Sequence, residues 1–115
     1  MKRLLLAMGA LVTVAAHAQA PGVTSDRILI GQTAGHSGVV AGCVKETTDG
    51  AKLYLDWVNR NGGVHGRKLR LETCNDSEDR TKNLQCAQDL VENKKVFALV
   101  ANNTRVEGAS ARSAS

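Results

Sequence analysis

Three groups of side chains in this 115-residue chain are of types that do chemistry. Asn75-Asp76-Ser77-Glu78-Asp79 crowds three carboxyl groups into one short polar segment, and paired carboxylates are the usual agents of general acid and base catalysis. His36 stands beside Ser37, an imidazole next to a hydroxyl. Cys43, Cys74 and Cys86 supply three thiols. Each group also has a plainer reading. No adjacent nucleophile or metal signature accompanies the acids, and Asp79 stands where a carboxylate caps a helix, with its neighbours near the positive end of the same helix. Adjacency along the chain does not make His36 and Ser37 a catalytic pair, because base, nucleophile and orienting group must converge in space. Zinc is not supported: there is no C-x-x-C, and His36 and His65 lack ligand spacing. Gly31, Gly35, Gly38 and Gly42 fit neither G-x-G-x-x-G nor the P-loop, since Lys45 is out of register. A nucleotide-binding α/β enzyme fragment therefore stands only as an alternative, and no cofactor is implied.

Around these residues the periodicity changes in a fixed order. Ile28-Leu29-Ile30 is a short apolar run suited to a strand covered on both faces. The glycine-rich segment 31–42 follows. From near Cys43 to Asn61, Val44, Thr47, Ala51, Leu55 and Val58 recur three or four apart and make the apolar stripe of a helix. Asn61-Gly62-Gly63 ends it, since glycine tolerates the left-handed conformation of a C-cap. Leu69 and Leu71 then alternate with Lys68, Arg70 and Glu72, giving a strand over about 68–74. A second helix is expected over about 80–93, with Leu84, Ala87, Leu90 and Val91 as its stripe, and residues 96–100 form a third apolar strand. The order β-α-β-α-β predicts an α/β fold with a three-stranded parallel sheet, right-handed crossovers and helices on the faces. Both outer strands of such a sheet present unpaired edges.

The N-terminus bounds the compartment. Met1-Lys2-Arg3 precedes an apolar run over 4–16 and small residues at alternate positions, the pattern of a secretory leader. The run is shorter than the ~20 residues a membrane span needs. Cleavage after Ala18 is preferred to cleavage after Ala20, which would leave Pro21 at the new terminus. Loss of Lys2 and Arg3 reduces the formal charge from +4 to +2. Acids and bases are interleaved, and with one Phe, one Tyr and one Trp for base stacking the composition argues against nucleic-acid binding. Export admits a disulfide between Cys74, at the end of the second strand, and Cys86, on the following helix; three ordinary buried thiols are the other reading. Residues 105–115 are small and polar and read as a frayed tail.

Residues 50–71 also carry a resemblance. Gly50, Ala51, Tyr54, Asp56, Val58, Asn59, Gly62, Gly63, Val64, Gly66, Arg67, Lys68 and Leu71 match the GA-x-x-Y-x-D-x-V-N-x-x-GG-V-x-GRK-x-x-L run of periplasmic binding proteins. The branch resembled is the solute receptors of ABC importers typified by the leucine/isoleucine/valine-binding protein. The resemblance implies a type I, flavodoxin-like lobe over residues 23–104, a periplasmic location, no catalysis, and binding of an amino acid or related small polar solute. It also implies docking on importer membrane subunits if full length. Receptors of this kind close two lobes around the solute. A chain of this size is therefore expected to be truncated, with part of the first lobe, and the change of composition after Thr104 fits a shifted reading frame.

Ligands of parallel α/β sheets sit beyond the carboxyl ends of the strands. The loop 33–42 leaves the first strand there, and 101–104 leaves the third. Thr33, Ala34, Ser37 and Gly38 match the family turn S-A-P-L-T-G-P, with Gly35, His36 and Val39 replacing its Pro, Leu and Pro. The resemblance accordingly implies Ser37 and Gly38 as contacts for the solute carboxylate, with Asn102, Asn103 and Thr104 from the second loop, Thr104 as the preferred hydroxyl. The plain alternative is that Ser37 and Gly38 only make a turn and the asparagines only end a strand. A small secreted interaction domain using its open sheet edge is a third reading.

Overall fold

β1 (Arg27–Ala34) is the strand on which the rest assembles. A computed structural model of the chain describes residues 20–102. The leader, Asn103, Thr104 and the tail lie outside them. β1 extends four residues past the apolar Ile28-Leu29-Ile30 run, through Gly31, Gln32, Thr33 and Ala34. Gln32 and Thr33 are fully buried polar residues, so hydropathy alone hides this half of the strand.

α1 (Ala41–Arg60), β2 (Lys68–Asn75), α2 (Arg80–Gln88), a π-helical last turn (Asp89–Asn93) and β3 (Ala98–Leu99) follow in order. The sheet runs β2-β1-β3. Both pairings are parallel, with Arg27 opposite Lys68, Ala34 opposite Asn75, and Ile30 opposite Ala98. β3 is shorter than the apolar run 96–100. Its ends are nonetheless tied to β1, through Phe97 N–H to the Leu29 carbonyl (2.7 Å) and Val100 N–H to the Gly31 carbonyl (2.8 Å).

The helices lie on opposite faces. Successive strand residues point to opposite sides: Gln32 accepts a hydrogen bond from Thr48 of α1, whereas Thr33 accepts one from Asn83 of α2. α1 buries Val44 and Thr48, with Ala51, Leu55 and Val58 half-buried. Thr48 takes the inward place expected for Thr47, which is exposed and donates to its own helix at the Cys43 carbonyl. α2 is rotated likewise. It buries Asn83, Cys86, Ala87 and, one turn on, Leu90, while Leu84 is exposed. Two attachments set that rotation: the Cys86 sulfur is bonded to Cys74 of β2, and the Asn83 amide is held by Thr33 and Asp76. The Cys74–Cys86 pair has a Cα–Cα distance of 5.6 Å. Each fully buried aliphatic side chain, such as Val44 or Leu90, contributes ~1.5–3 kcal/mol.

The α1–β2 connection shows why the second half of the 50–71 run, from Val58 to Leu69, has the sequence it has. Gly62 has φ +98° and the Gly63 N–H reaches back to the Val58 carbonyl (2.9 Å), the long bond of a Schellman cap. A Cβ on Gly63 would stand 2.1 Å from the Arg67 carbonyl oxygen. Val64 and Arg67 exchange two backbone hydrogen bonds across His65 and Gly66, both at positive φ, the requirement of a type I′ turn. Asn59 then does what a neighbouring strand would do. Its Oδ1 accepts from the Leu69 N–H (2.7 Å) and its Nδ2 donates to the Leu69 carbonyl (2.8 Å) on the outer edge of β2. The Lys68 ammonium donates to the Asn59 carbonyl. One of the two edges expected to be open is thus partly closed by a side chain.

Candidate functional site

The carboxyl ends of β1 and β2 deliver two loops, residues 35–40 and 75–79, that are bolted together. Asn75 Oδ1 accepts from the N–H groups of His36 (2.9 Å) and Ser77 (3.0 Å), and its Nδ2 donates to Ser37 Oγ (3.1 Å). Ser37 Oγ in turn donates to Ser77 Oγ (2.9 Å). Glu78 Oε1 accepts from the N–H of Val40, the residue preceding α1 (2.7 Å), so its side chain satisfies a backbone donor that the helix start leaves free. The close fit of the two loops has a backbone cost. Ser77 and Glu78 have φ of +52° and +60°, unusual for residues with a Cβ. Gly38, at φ +104°, faces the Glu78 carboxylate so closely that an added Cβ would lie 2.9 Å from Oε1.

Beneath the loops runs a buried polar chain. Asp76 is fully buried, its Oδ1 accepting from the Glu78 N–H (2.9 Å) and its Oδ2 from Asn83 Nδ2 (2.8 Å). The same Asn83 nitrogen reaches Thr33 Oγ1 (3.1 Å). On the β3 side, Gln32 Nε2 donates to the Ala101 carbonyl (2.8 Å) and the Thr33 N–H donates to Asn102 Oδ1 (3.1 Å). Hydrogen bonding offsets most of the burial cost of these groups, which otherwise runs to several kcal/mol each. The result is a polar lattice linking the ends of all three strands.

These bonds give each acidic candidate a definite employment. Asp79 accepts from the Lys82 N–H (2.8 Å) and caps α2, as its position suggests. Asp76 and Glu78 serve as acceptors for the loops. Among the described residues their side-chain partners are backbone N–H groups and the Asn83 amide, not nucleophiles. Ser37 is held by Asn75 and Ser77, and His36 Nε2 has no hydrogen-bond partner among the described residues, Ser37 included, so the two are not a base–nucleophile pair there. Ser37 and Gly38 leave the carboxyl end of β1, and Asn102 that of β3, its neighbour in the sheet. β1 is central, whereas β3 is an edge strand among the described residues. Asn103 and Thr104 lie outside the described residues. Among those residues no group of three or more His, Cys, Asp or Glu is placed to hold a metal ion. A groove of about 200 Å³ between α1 and β2, lined by Lys52, Leu55, Asp56, Asn59, Leu69, Arg70 and Leu71, is on the flank of the sheet and away from the loops.

Asn75, Ser77 and Glu78 are what residue-type reasoning missed as a unit. The acids were visible, but their partners are 38 to 40 positions earlier in the chain, in the loop after β1. The only local signal was a glycine-spaced turn opposite a polar one.

Comparison with known proteins is consistent across sequence and structure. The model of a family described as periplasmic binding protein matches residues 27–114. A branched-chain amino acid transporter substrate-binding protein of Streptococcus pneumoniae, solved in complex with isoleucine, is similar at 25% identity and TM-score 0.66, over 77% of this chain and 25% of that one. A fatty acid ABC transporter substrate-binding protein of Thermomonospora curvata is similar at 32% identity and TM-score 0.62, over 70% of this chain and 20% of that one. A substrate-binding periplasmic protein of Ralstonia solanacearum is similar at 28% identity and TM-score 0.65, over 75% and 24%. The chain thus spans a fifth to a quarter of the length of these structures. Its three parallel strands in β-α-β-α-β order match part of one lobe.

Proposed function

Because the chain belongs to the periplasmic binding protein family, we propose that it supplies part of the first lobe of an ABC-importer solute receptor, exported to the periplasm after loss of residues 1–18. The solute is an amino acid of the branched-chain type or a related small polar molecule, it is bound without catalysis, and the full-length receptor hands it to the importer's membrane subunits. The observation that carries this reading is the pairing of a hydroxyl- and glycine-bearing loop after β1 with an asparagine-bearing loop after β3, on adjacent strands of a parallel sheet. That is where such sheets take ligands. Ser37, Gly38, Asn102, Asn103 and Thr104 are the proposed contacts on this lobe.

The two relatives with named cargo transport chemically different solutes, a branched-chain amino acid and a fatty acid. Their likeness to this chain supports the scaffold and leaves cargo to be measured. One lobe leaves a solute exposed on one side, and an affinity of ~1 mM or weaker, about −4 kcal/mol, is expected for this chain alone. Calorimetry with branched-chain and other amino acids, amides, aromatic acids and a fatty acid, against this chain and a version extended through a second lobe, tests the proposal. Micromolar binding of one amino acid class by the extended protein is the expected result. An extended protein that binds nothing, while either version hydrolyses a substrate, overturns it.

A further inference from the structure

α1 carries an apolar face that the sheet does not use. Leu53, Tyr54 and Trp57 are 68%, 64% and 56% exposed, and the Tyr54 and Trp57 rings stack with centroids 6.0 Å apart. This face has an order of its own. Positions 46, 50, 53, 57 and 60 are separated by four, three, four and three residues, the seam spacing of paired helices. The buried Val44 and Thr48 and the half-buried Ala51, Leu55 and Val58 occupy the other side of the helix, so the seam points away from the sheet. A helix added beside α1 on the same sheet face would meet its flank, next to Tyr54, and leave Leu53 outward.

We propose that this face binds a second copy of the chain, the two α1 helices packing antiparallel about a two-fold axis at Leu53. The seam is self-complementary only in that orientation. Glu46 and Arg60 are each seven residues from Leu53, on opposite sides, so the axis sets Glu46 of each copy against Arg60 of the other. The same operation brings Trp57 over Gly50. Gly50, which opens the family run, has no packing role among the described residues: it is an exposed glycine inside a 20-residue helix, where it costs ~1 kcal/mol relative to alanine, and an added Cβ would meet none of them within 4 Å. A helix surface lacking a side chain at that point admits an indole. On the far side of the seam Asp49 faces Asp56 of the second copy, with Lys45 already bonded to Asp49 and Lys52 within reach of the facing Asp56, so that side is electrically balanced. A parallel pairing would instead set Glu46 against Glu46 and Arg60 against Arg60.

Sedimentation velocity of the purified chain, over a concentration series up to about 1 mM, the weak end of specific association, tests the pairing through charge reversal. The wild-type chain is expected to dimerise reversibly. Glu46→Arg or Arg60→Glu alone turns both symmetric attractions into repulsions and weakens the dimer roughly tenfold or more, while the double reversal restores it. A second measurement does not depend on charge. In a Cys43→Ser background, Leu53→Cys places one thiol from each copy at the axis and oxidises rapidly to a covalent dimer, whereas Glu92→Cys does not. A wild-type chain that stays monomeric throughout, a dimer indifferent to the single reversals, or equal crosslinking at 53 and 92 overturns the proposal.

Discussion

Gly38 is proposed to touch the solute, yet the structure gives it a prior duty, and a double-mutant cycle with Glu78 separates the two. Gly38→Ala adds a methyl group 2.9 Å from Glu78 Oε1 at a backbone φ of +104°. The backbone share of the cost is ~1–2 kcal/mol, since a side chain resists that conformation. The contact share adds ~1 kcal/mol, because the carboxylate can retreat only by releasing the Val40 N–H. Glu78→Ala removes that hydrogen bond and leaves the N–H at the start of α1 without its carboxylate, a loss of ~1.5–3 kcal/mol. The two substitutions should not add. Once the Glu78 side chain is gone the methyl group has room, so the double variant is expected to be more stable than the sum by ~1 kcal/mol, well beyond the ~0.3–0.5 kcal/mol scatter of independent sites. Urea unfolding followed by far-UV circular dichroism at constant m-value is the assay. Additivity within that scatter, or a Gly38→Ala variant of unchanged stability, would refute the claim that the two loops are locked through this contact. An unchanged stability combined with lost solute binding in the two-lobe protein would make Gly38 a ligand contact alone.

Two further outcomes follow from the described contacts. Replacing Cys74 and Cys86 together by alanine opens a loop closed at a sequence separation of 12; chain entropy puts the loss at ~3 kcal/mol, which lowers Tm by roughly 12–24 °C in a domain of this size. Calorimetry under oxidising conditions measures it, and a fall of only a few degrees would show that the bond stabilises little. Asn59→Ala deprives the β2 edge of both its side-chain partners and should cost about 1–2 kcal/mol; hydrogen exchange at the Leu69 amide should accelerate selectively, and unchanged protection there would contradict the role assigned to Asn59.

Periodicity revealed the element order and the parallel sheet because apolar stripes announce themselves at 3.6- and 2-residue spacing. It stopped short where burial is polar. The second half of β1 looks like loop in the sequence because Gln32 and Thr33 are hydrophilic, and their burial is compensated by Ala101, Asn102 and Asn83, far away in the chain. On α2 the stripe expected at Ala87 and Leu90 is buried, but its N-terminal end is shifted for the same reason: Asn83 looks like a surface residue and is buried, while Leu84 next to it is exposed. The cap at Asp79 was legible because its partner is three residues away. Glu78 was not, because its partner is the start of a different helix.

That distinction bears on what this lobe can select. If Ser37 donates to a solute carboxylate, as the resemblance implies, it must turn its hydroxyl hydrogen away from Ser77, because a serine has one hydrogen to donate and this one is engaged there. The neighbouring Glu78 carboxylate, fixed on the Val40 N–H, makes an approaching anion less welcome on that side, since like charges repel most where water is scarce. The amide and hydroxyl donors after β3 have no acidic residue in their own stretch, 101–104, to oppose an anion. If the proposed site binds a zwitterionic solute, its carboxylate is expected toward the loop after β3 and its uncharged or cationic part toward Ser37 and Glu78. The two-lobe protein tests this directly: Glu78→Gln should relax discrimination against a diacid, such as glutamate, relative to leucine. Equal selectivity in wild type and variant would place the solute carboxylate, and the site itself, elsewhere on the lobe.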